Sequence, residues 1–343
     1  MKKFFTLREA ELFSHRKIGN KVFDWLQAAA EDGFTFKKNF EDLSKVKIKP
    51  TFLAKIKKIN TLTDFYGHKI SSPLILSPMG HQTQFHKDGE IETAKGVAKA
   101  NTIAFFGTQG RISLDDIRKK NKKLKIGWTI FPFGNREWIK KEVRSAEKNK
   151  CIAITICIDA NIRSQRYLDL EARYDARTKG RRTNPLPQNP KLALDYDWNL
   201  ISFIKKITKL PIIVKGILTS GDMKKALKFG ADGLWISNHG GRMFNSGISS
   251  VEALIDIKKK LKTNKKIKII VDGGVRKGTD VIKLLCLGAD FVGIGRPAIY
   301  GLIYNGNNGV EDIFRILNNE IKTSMINGGF KSINSFSRNR VYF

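Results

Sequence analysis

Short apolar, β-branched runs recur along the chain, and the stretches between them carry apolar residues at the three-to-four-residue spacing of a helix face. The runs cover residues 74–77, 103–107, 126–131, 153–159, 212–216, 233–237, 267–273 and 291–296. Ahead of them, about residues 8–30 read as a helical segment. Strands apolar on both faces and alternating with amphipathic helices predict a parallel sheet covered by helices. Eight such units predict closure, so the expected fold class is α/β, a (β/α)8 TIM barrel. We expect one domain over 1–343, with the barrel over about 70–315.

Several helix ends are marked locally. Ser249 with Glu252 three residues on predicts a capping box, and Val251, Leu254, Ile255 and Leu261 follow on one face. Gly230 and Gly288 stand where helices should end, each opening a Gly-Ala-Asp triplet before a strand. One stretch breaks the rhythm. Residues of about 161–197 carry Arg163, Arg166, Arg173, Arg177, Arg181 and Arg182, then Pro185, Pro187 and Pro190. A loop that long inside a barrel is expected to serve the active site.

Composition changes this picture little. The chain has 343 residues, 41% hydrophobic, enough for a large core. Its formal charge of +31 raises the possibility of a polyanion-binding protein. The lysines, however, fall on helix faces such as Lys224-Lys225 and Lys258-Lys259-Lys260, and no nucleic-acid-binding signature accompanies them. We therefore expect solvated surfaces and no specific nucleic-acid partner. Cys151, Cys157 and Cys286 lie in apolar runs and read as reduced core thiols. Without a membrane-length apolar run or a clean signal peptide, the expected setting is cytoplasmic.

In a barrel of this kind the reactive groups gather where strands end. Those positions hold Pro78-Met79-Gly80, Gly107-Thr108, Thr129 and Phe131, Cys157 and Asp159, Lys215, Ser237 to Arg242, Asp272 to Arg276, and Gly295-Arg296. The last two turns suit a phosphate: Gly273, Gly274 and Gly295 permit close backbone approach, while Arg276 and Arg296 add forked donors. In Ser237-Asn238-His239-Gly240-Gly241-Arg242 a proton acceptor and a carboxylate clamp share one loop. Asp159 can orient His239, and Lys215 can stabilise negative charge on a reduced cofactor ring. His15, His68, His81 and His86 read as structural histidines. No His/Cys/Asp/Glu group has metal-ligand spacing, so no metal is expected.

These segments together resemble the FMN-dependent 2-hydroxy-acid oxidase and dehydrogenase family, which includes glycolate oxidase, lactate oxidase and the flavin domain of yeast lactate dehydrogenase. The similarity runs nearly end to end and is strongest from Ile213-Val214-Lys215-Gly216 to Ile294-Gly295-Arg296-Pro297. The resemblance implies FMN, a small 2-hydroxy acid, oxygen or another electron acceptor, and a homotetramer. It implies that His239 is the base with Asp159 behind it, and that Arg242 and Arg166 hold the substrate carboxylate. Lys215 would contact the flavin ring. Asp272, Gly273, Gly274, Arg276, Gly295 and Arg296 would hold the ribityl phosphate. Pro78, Met79, Gly80, Thr108, Thr129, Cys157 and Ser237 complete the expected cofactor set.

Several positions depart from the family pattern. Trp25 and Phe131 stand where substrate-facing tyrosines are usual. Thr129 replaces a Gln, Cys157 a Thr, Gly107 a Ser, and Gly80 the Ala of many oxidases. A second enzyme reading is an FMN barrel doing non-oxidative chemistry on a phosphorylated substrate, as type 2 isopentenyl diphosphate isomerase does. The complete Ser-Asn-His-Gly-Gly-Arg segment favours the oxidase reading.

Overall fold

Every one of the eight apolar runs forms a strand: β1 Leu74–Leu76, β2 Ile103–Gly107, β3 Lys125–Ile130, β4 Ala153–Cys157, β5 Ile212–Ile217, β6 Gly233–Ile236, β7 Lys268–Val271 and β8 Phe291–Ile294. They pair in parallel, in chain order, and close into a barrel where Ile294 of β8 meets Leu76 of β1. The (β/α)8 expectation is met. The computed structural model describes residues 3–175, 179–185, 190–263 and 266–343, so Arg177 and Pro187 of the long loop lie outside the described residues.

Most strands stop one or two residues earlier than the apolar pattern suggests. Ser77, Phe131, Asp159, Ser237 and Asp272 fall just beyond the regular ladders, where they are free to point at the barrel mouth. Strand β2 ends where the pattern does, and β5 runs one residue further. The register of β5 shifts between Lys215 and Ile217, with Gly216 between them at φ +103°. A Cβ at Gly216 would lie 2.7 Å from that of Asp159, so only glycine lets β5 pass this close.

The other end of the barrel is plugged. A hairpin of Thr63–Phe65 and His68–Ile70 covers the strand beginnings. Phe65 packs edge-on against Phe105 and Phe291, and Phe105 against Trp235, all fully buried. Such a floor leaves only the C-terminal mouth for chemistry.

The N-terminal segment is not the single helix expected over 8–30. Helix α1, Leu7–Ile18, ends at Gly19, whose φ of +80° breaks the helix before α2, Asn20–Gln27. Helix α3, Phe34–Lys45, then packs beside the 3-10 turn His239–Gly241. Elsewhere local signals hold: the Ser249–Glu252 capping box is formed, and Gly230 and Gly288 take φ +103° and +105°. The lysines at 224, 225 and 258–260 are exposed. No helix among the described residues is long and apolar enough to cross a membrane.

All three cysteines are buried and unpaired. Burial pushes the Cys151 thiol up to about 12 and the Cys286 thiol up to about 11. Neither forms appreciable thiolate near neutrality. Iodoacetamide at mildly alkaline pH should therefore leave Cys151 and Cys286 unmodified in the native protein and label both in denaturant, as peptide mass spectrometry would show.

Candidate active site

Two adjoining cavities open at the C-terminal mouth, and Pro78 and His239 belong to the walls of both. The first, of about 480 Å³, is lined by Lys215, Asp272 to Arg276, and Gly293 to Arg296. The second, of about 960 Å³, is lined by Trp25, Gly80, His81, Gln109, Phe131, Phe133, Arg163, Arg166, Arg242 and Met243 among others.

Glycines make the first cavity possible. Side chains at Gly293 and Gly295 would strike the Ser77 hydroxyl at 2.3 Å and the Met79 sulfur at 2.9 Å. Gly273 and Gly274 sit at φ +108° and +80°. At its inner end a buried network is complete: Lys215 Nζ donates to Ser237 Oγ at 2.7 Å, and Ser237 and Ser77 donate to the two Asp272 oxygens at 2.5 and 2.9 Å. Lys215 Nζ also lies 3.5 Å from Asp272. Burial works against the lysine's charge, but Asp272 and Asp159 outweigh it and raise its pKa. A permanent cation therefore stands in the wall.

Both arginines of these turns, Arg276 and Arg296, are held by the protein itself. Arg276 lies over the rings of Phe40 and Tyr300, 5.1 and 5.8 Å from their centroids. Arg296 lies 4.6 Å over Phe36 and donates to the carbonyls of Leu26, Ala28 and Gly240. Its pKa falls to about 10, through burial first and then the repulsion of Arg276. Two guanidiniums that repel across one cavity favour an anion between them.

His239 enters between the cavities on a left-handed turn: His239, Gly240 and Gly241 have φ of +56°, +62° and +74°. A Cβ at Gly241 would come within 2.5 Å of the Phe36 backbone nitrogen. A non-glycine residue in that region is strained by about 1 kcal/mol or more, and such strain is characteristic of functional sites. The turn brings His239 Nδ1 to 3.2 Å from Asp159 Oδ1. Asp159 is pulled down to about 2: burial opposes its charge, but His239 and Lys215 overcome it. An ionised carboxylate thus holds one imidazole nitrogen and leaves Nε2 as the proton acceptor.

Arg242 donates from one nitrogen to the carbonyls of Trp25, Leu26 and Ala28 and lies 5.3 Å over the Trp25 ring. Arg166 donates to the Arg242 carbonyl and lies 3.5 Å from Asp169. Burial first, then Arg166 and Arg296, drive the Arg242 pKa well down. Mutually repelling arginines again mark the wall of a cavity. Together Arg242 and Arg296 tie the end of α2 to the barrel mouth.

Of the predicted site residues, Pro78, Gly80, Phe131, Trp25, Arg166, Arg242, His239, Lys215, Asp272, Gly273, Gly274, Arg276, Gly295 and Arg296 line the two cavities. Met79, Thr108, Thr129, Cys157, Asp159 and Ser237 stand behind those walls. The Thr108 and Ser237 hydroxyls accept from protein donors, Phe131 N and Lys215 Nζ. Those of Thr129 and its neighbour Thr155 are buried with no partner. Gly80 and Gly107 have local causes. An alanine methyl at Gly80 would lie 2.8 Å from the Gln109 carbonyl oxygen, and one at Gly107 would lie 2.5 Å from that of Thr129.

Two sequence readings need correction. His81 is not a satisfied structural histidine: it lines the second cavity, its Nδ1 is buried without a partner, and burial followed by Arg111 lowers its pKa to about 3. Gln109, with Nε2 likewise unpartnered, was not singled out at all. Nor does spacing along the chain reveal that Cys157, Asp159 and His239 converge, each offering a metal-ligating atom within 4.8 Å of the others.

The profile of the FMN-dependent dehydrogenase family matches residues 14–342. The chain belongs to this family. It is therefore an FMN-dependent oxidoreductase acting on CH–OH groups. Among its relatives, a peroxisomal (S)-2-hydroxyacid oxidase of Arabidopsis thaliana is 30% identical, covering 99% of this chain and 97% of the relative. The 2-hydroxyacid oxidase 2 of Rattus norvegicus is 31% identical, covering 98% of each. Among solved structures, a Pediococcus acidilactici protein described as a lactate oxidase is 30% identical with a TM-score of 0.89, covering 99% of this chain and 95% of that one. A mandelate oxidase structure, 25% identical, gives 0.91 over 99% and 98%. The residues present fit the flavin. Glycine-exposed backbone and two repelling arginines suit its phosphate, and the Lys215 cation its ring.

Proposed function

We propose that this protein oxidises a small L-2-hydroxy acid, lactate foremost, to the 2-keto acid with His239 as the base. The observation that carries the reading is His239, in the wall shared by both cavities, held at 3.2 Å by Asp159 behind it and sharing the second cavity with Arg242 and Arg166. Bound FMN supplies the two-electron acceptor. Lys215, Asp272, Gly273, Gly274, Arg276, Gly295 and Arg296 would hold it in the first cavity, with Pro78, Met79, Gly80, Thr108, Thr129, Cys157 and Ser237 around its ring. Arg242 and Arg166 hold the substrate carboxylate, and Trp25 and Phe131 exclude water from its carbon chain. The Nε2 atom of His239 takes the substrate proton, and Asp159 stabilises the imidazolium that results.

Because Trp25 and Phe131 offer no phenol, the carboxylate and hydroxyl rest chiefly on the arginines and His239. The test is anaerobic mixing of the flavin-loaded protein with L-lactate, glycolate and mandelate. Bleaching of the yellow absorbance with one equivalent of keto acid is expected, with lactate fastest. A flavin that no 2-hydroxy acid reduces would sink the reading and leave non-oxidative chemistry in its place. Readmitting oxygen and measuring peroxide identifies the acceptor. The same proposal includes a cytoplasmic, reducing setting, in keeping with three unpaired thiols, and a homotetramer, which light scattering reads directly.

A further inference from the structure

We propose that Cys157, Asp159 and His239 form a binding site for a soft divalent cation of the zinc class, and that its occupancy silences the oxidation. Cys157 Sγ lies 3.0 Å from Asp159 Oδ1, His239 Nδ1 lies 3.2 Å from the same oxygen, and sulfur and nitrogen are 3.9 Å apart. The point equidistant from three atoms so spaced is roughly 2.0 Å from each, close to zinc's bond lengths to nitrogen and oxygen and slightly short of that to sulfur. A small outward displacement of the ion lengthens the sulfur contact and leaves a fourth, tetrahedral position for water.

The surroundings suit a cation. The second oxygen of Asp159, Oδ2, is buried without a hydrogen-bond partner. The facing charge that opposes binding is Lys215, which is already committed to Ser237 and Asp272. The Cys157 side is walled by Phe131 and Ala160, which slows exchange with water. On binding, a bond forms between the metal and Sγ, and the thiol proton passes to solvent. No electrons move.

The site depends on a residue that departs from what the family resemblance expects. Where the family resemblance expects threonine, whose hydroxyl is a poor zinc ligand, Cys157 supplies sulfur. Coordination at Nδ1 would replace the Asp159 hydrogen bond and put a dication on the imidazole, so that Nε2 no longer takes up a proton. The silencing rests on the proposed role of His239, whereas the binding does not.

Cadmium provides the direct probe, because a cadmium thiolate absorbs in the ultraviolet. Titrating the flavin-loaded protein should give a charge-transfer band that saturates at one equivalent per chain and is displaced by zinc. Cys157→Thr and Cys157→Ser should abolish the band, and Asp159→Asn should weaken binding by at least roughly tenfold. In the wild type, zinc should abolish flavin reduction and EDTA should restore it. In the Cys157 variants zinc should leave each variant's own metal-free rate unchanged. A band that survives in both Cys157 variants, or none at large cadmium excess, overturns the site. Saturated binding with an undiminished rate overturns the silencing and places the fault in the reading of His239 as the base.

Discussion

Replacing His239 with alanine should lower kcat for hydroxy-acid oxidation by about 10⁴-fold, the upper end of what a positioned base supplies, while FMN content stays that of the wild type. The expectation follows from how much the protein commits to this ring. A three-residue left-handed turn aims it, an ionised Asp159 fixes one nitrogen, and no other histidine shares the wall between the two cavities. His81 lines only the second cavity, and with a pKa near 3 it is neutral and a weak base. Single-turnover flavin reduction separates the proton-transfer defect from slow product release. Arg242→Leu should instead raise KM, since the carboxylate clamp proposed for it would act in the ground state as well. An alanine variant at His239 that keeps a rate within about tenfold of wild type would assign the base elsewhere.

The difference between what was legible and what was not follows the range of the forces involved. Strands β1 to β8 could be read because a parallel strand buried on both faces is apolar almost throughout, and Gly230 and Gly288 because a left-handed helix end nearly demands glycine. His239 stood out because two glycines and an arginine follow it directly. The break at Gly19 was missed although its glycine was in view, since helical spacing continues on both sides. His81 and Gln109 gave less signal. They reach the second cavity because the loops after β1 and β2 pack against each other and against Trp25, contacts that no local pattern records. The Cys157–Asp159–His239 convergence joins residues up to 82 positions apart. It became visible only once β4 and the turn after β6 lay at one mouth. Gly80 and Gly107 read as departures from the family, and in the folded chain they are accommodations to the Gln109 and Thr129 carbonyls.

Asp272→Ala should destabilise the flavin-free protein by about 3–5 kcal/mol, the usual consequence of removing one partner from a buried pair. Asp272 accepts from Ser77 and Ser237 and neutralises Lys215, which is 3% exposed. The lost stability should therefore come mainly from the stranded ammonium and two stranded hydroxyls rather than from attraction forgone. Adding Lys215→Met to Asp272→Ala tests this. If the stranded charge dominates, the double variant should recover a substantial part of the loss, measured as the denaturation midpoint in urea. Because the lysine's pKa is raised above 10.5, the stabilising charge is fully present below its unfolded value and is lost only as alkaline pH climbs through the folded one. Without Asp272 burial pulls the lysine's pKa down, so the deficit of Asp272→Ala should shrink as rising pH lets the stranded ammonium lose its proton. Both variants should also bind FMN more weakly, since each removes part of the first cavity's wall. Equal stability of wild type and Asp272→Ala would mean that water reaches Lys215, and the cation proposed to face the flavin would be an ordinary solvated one.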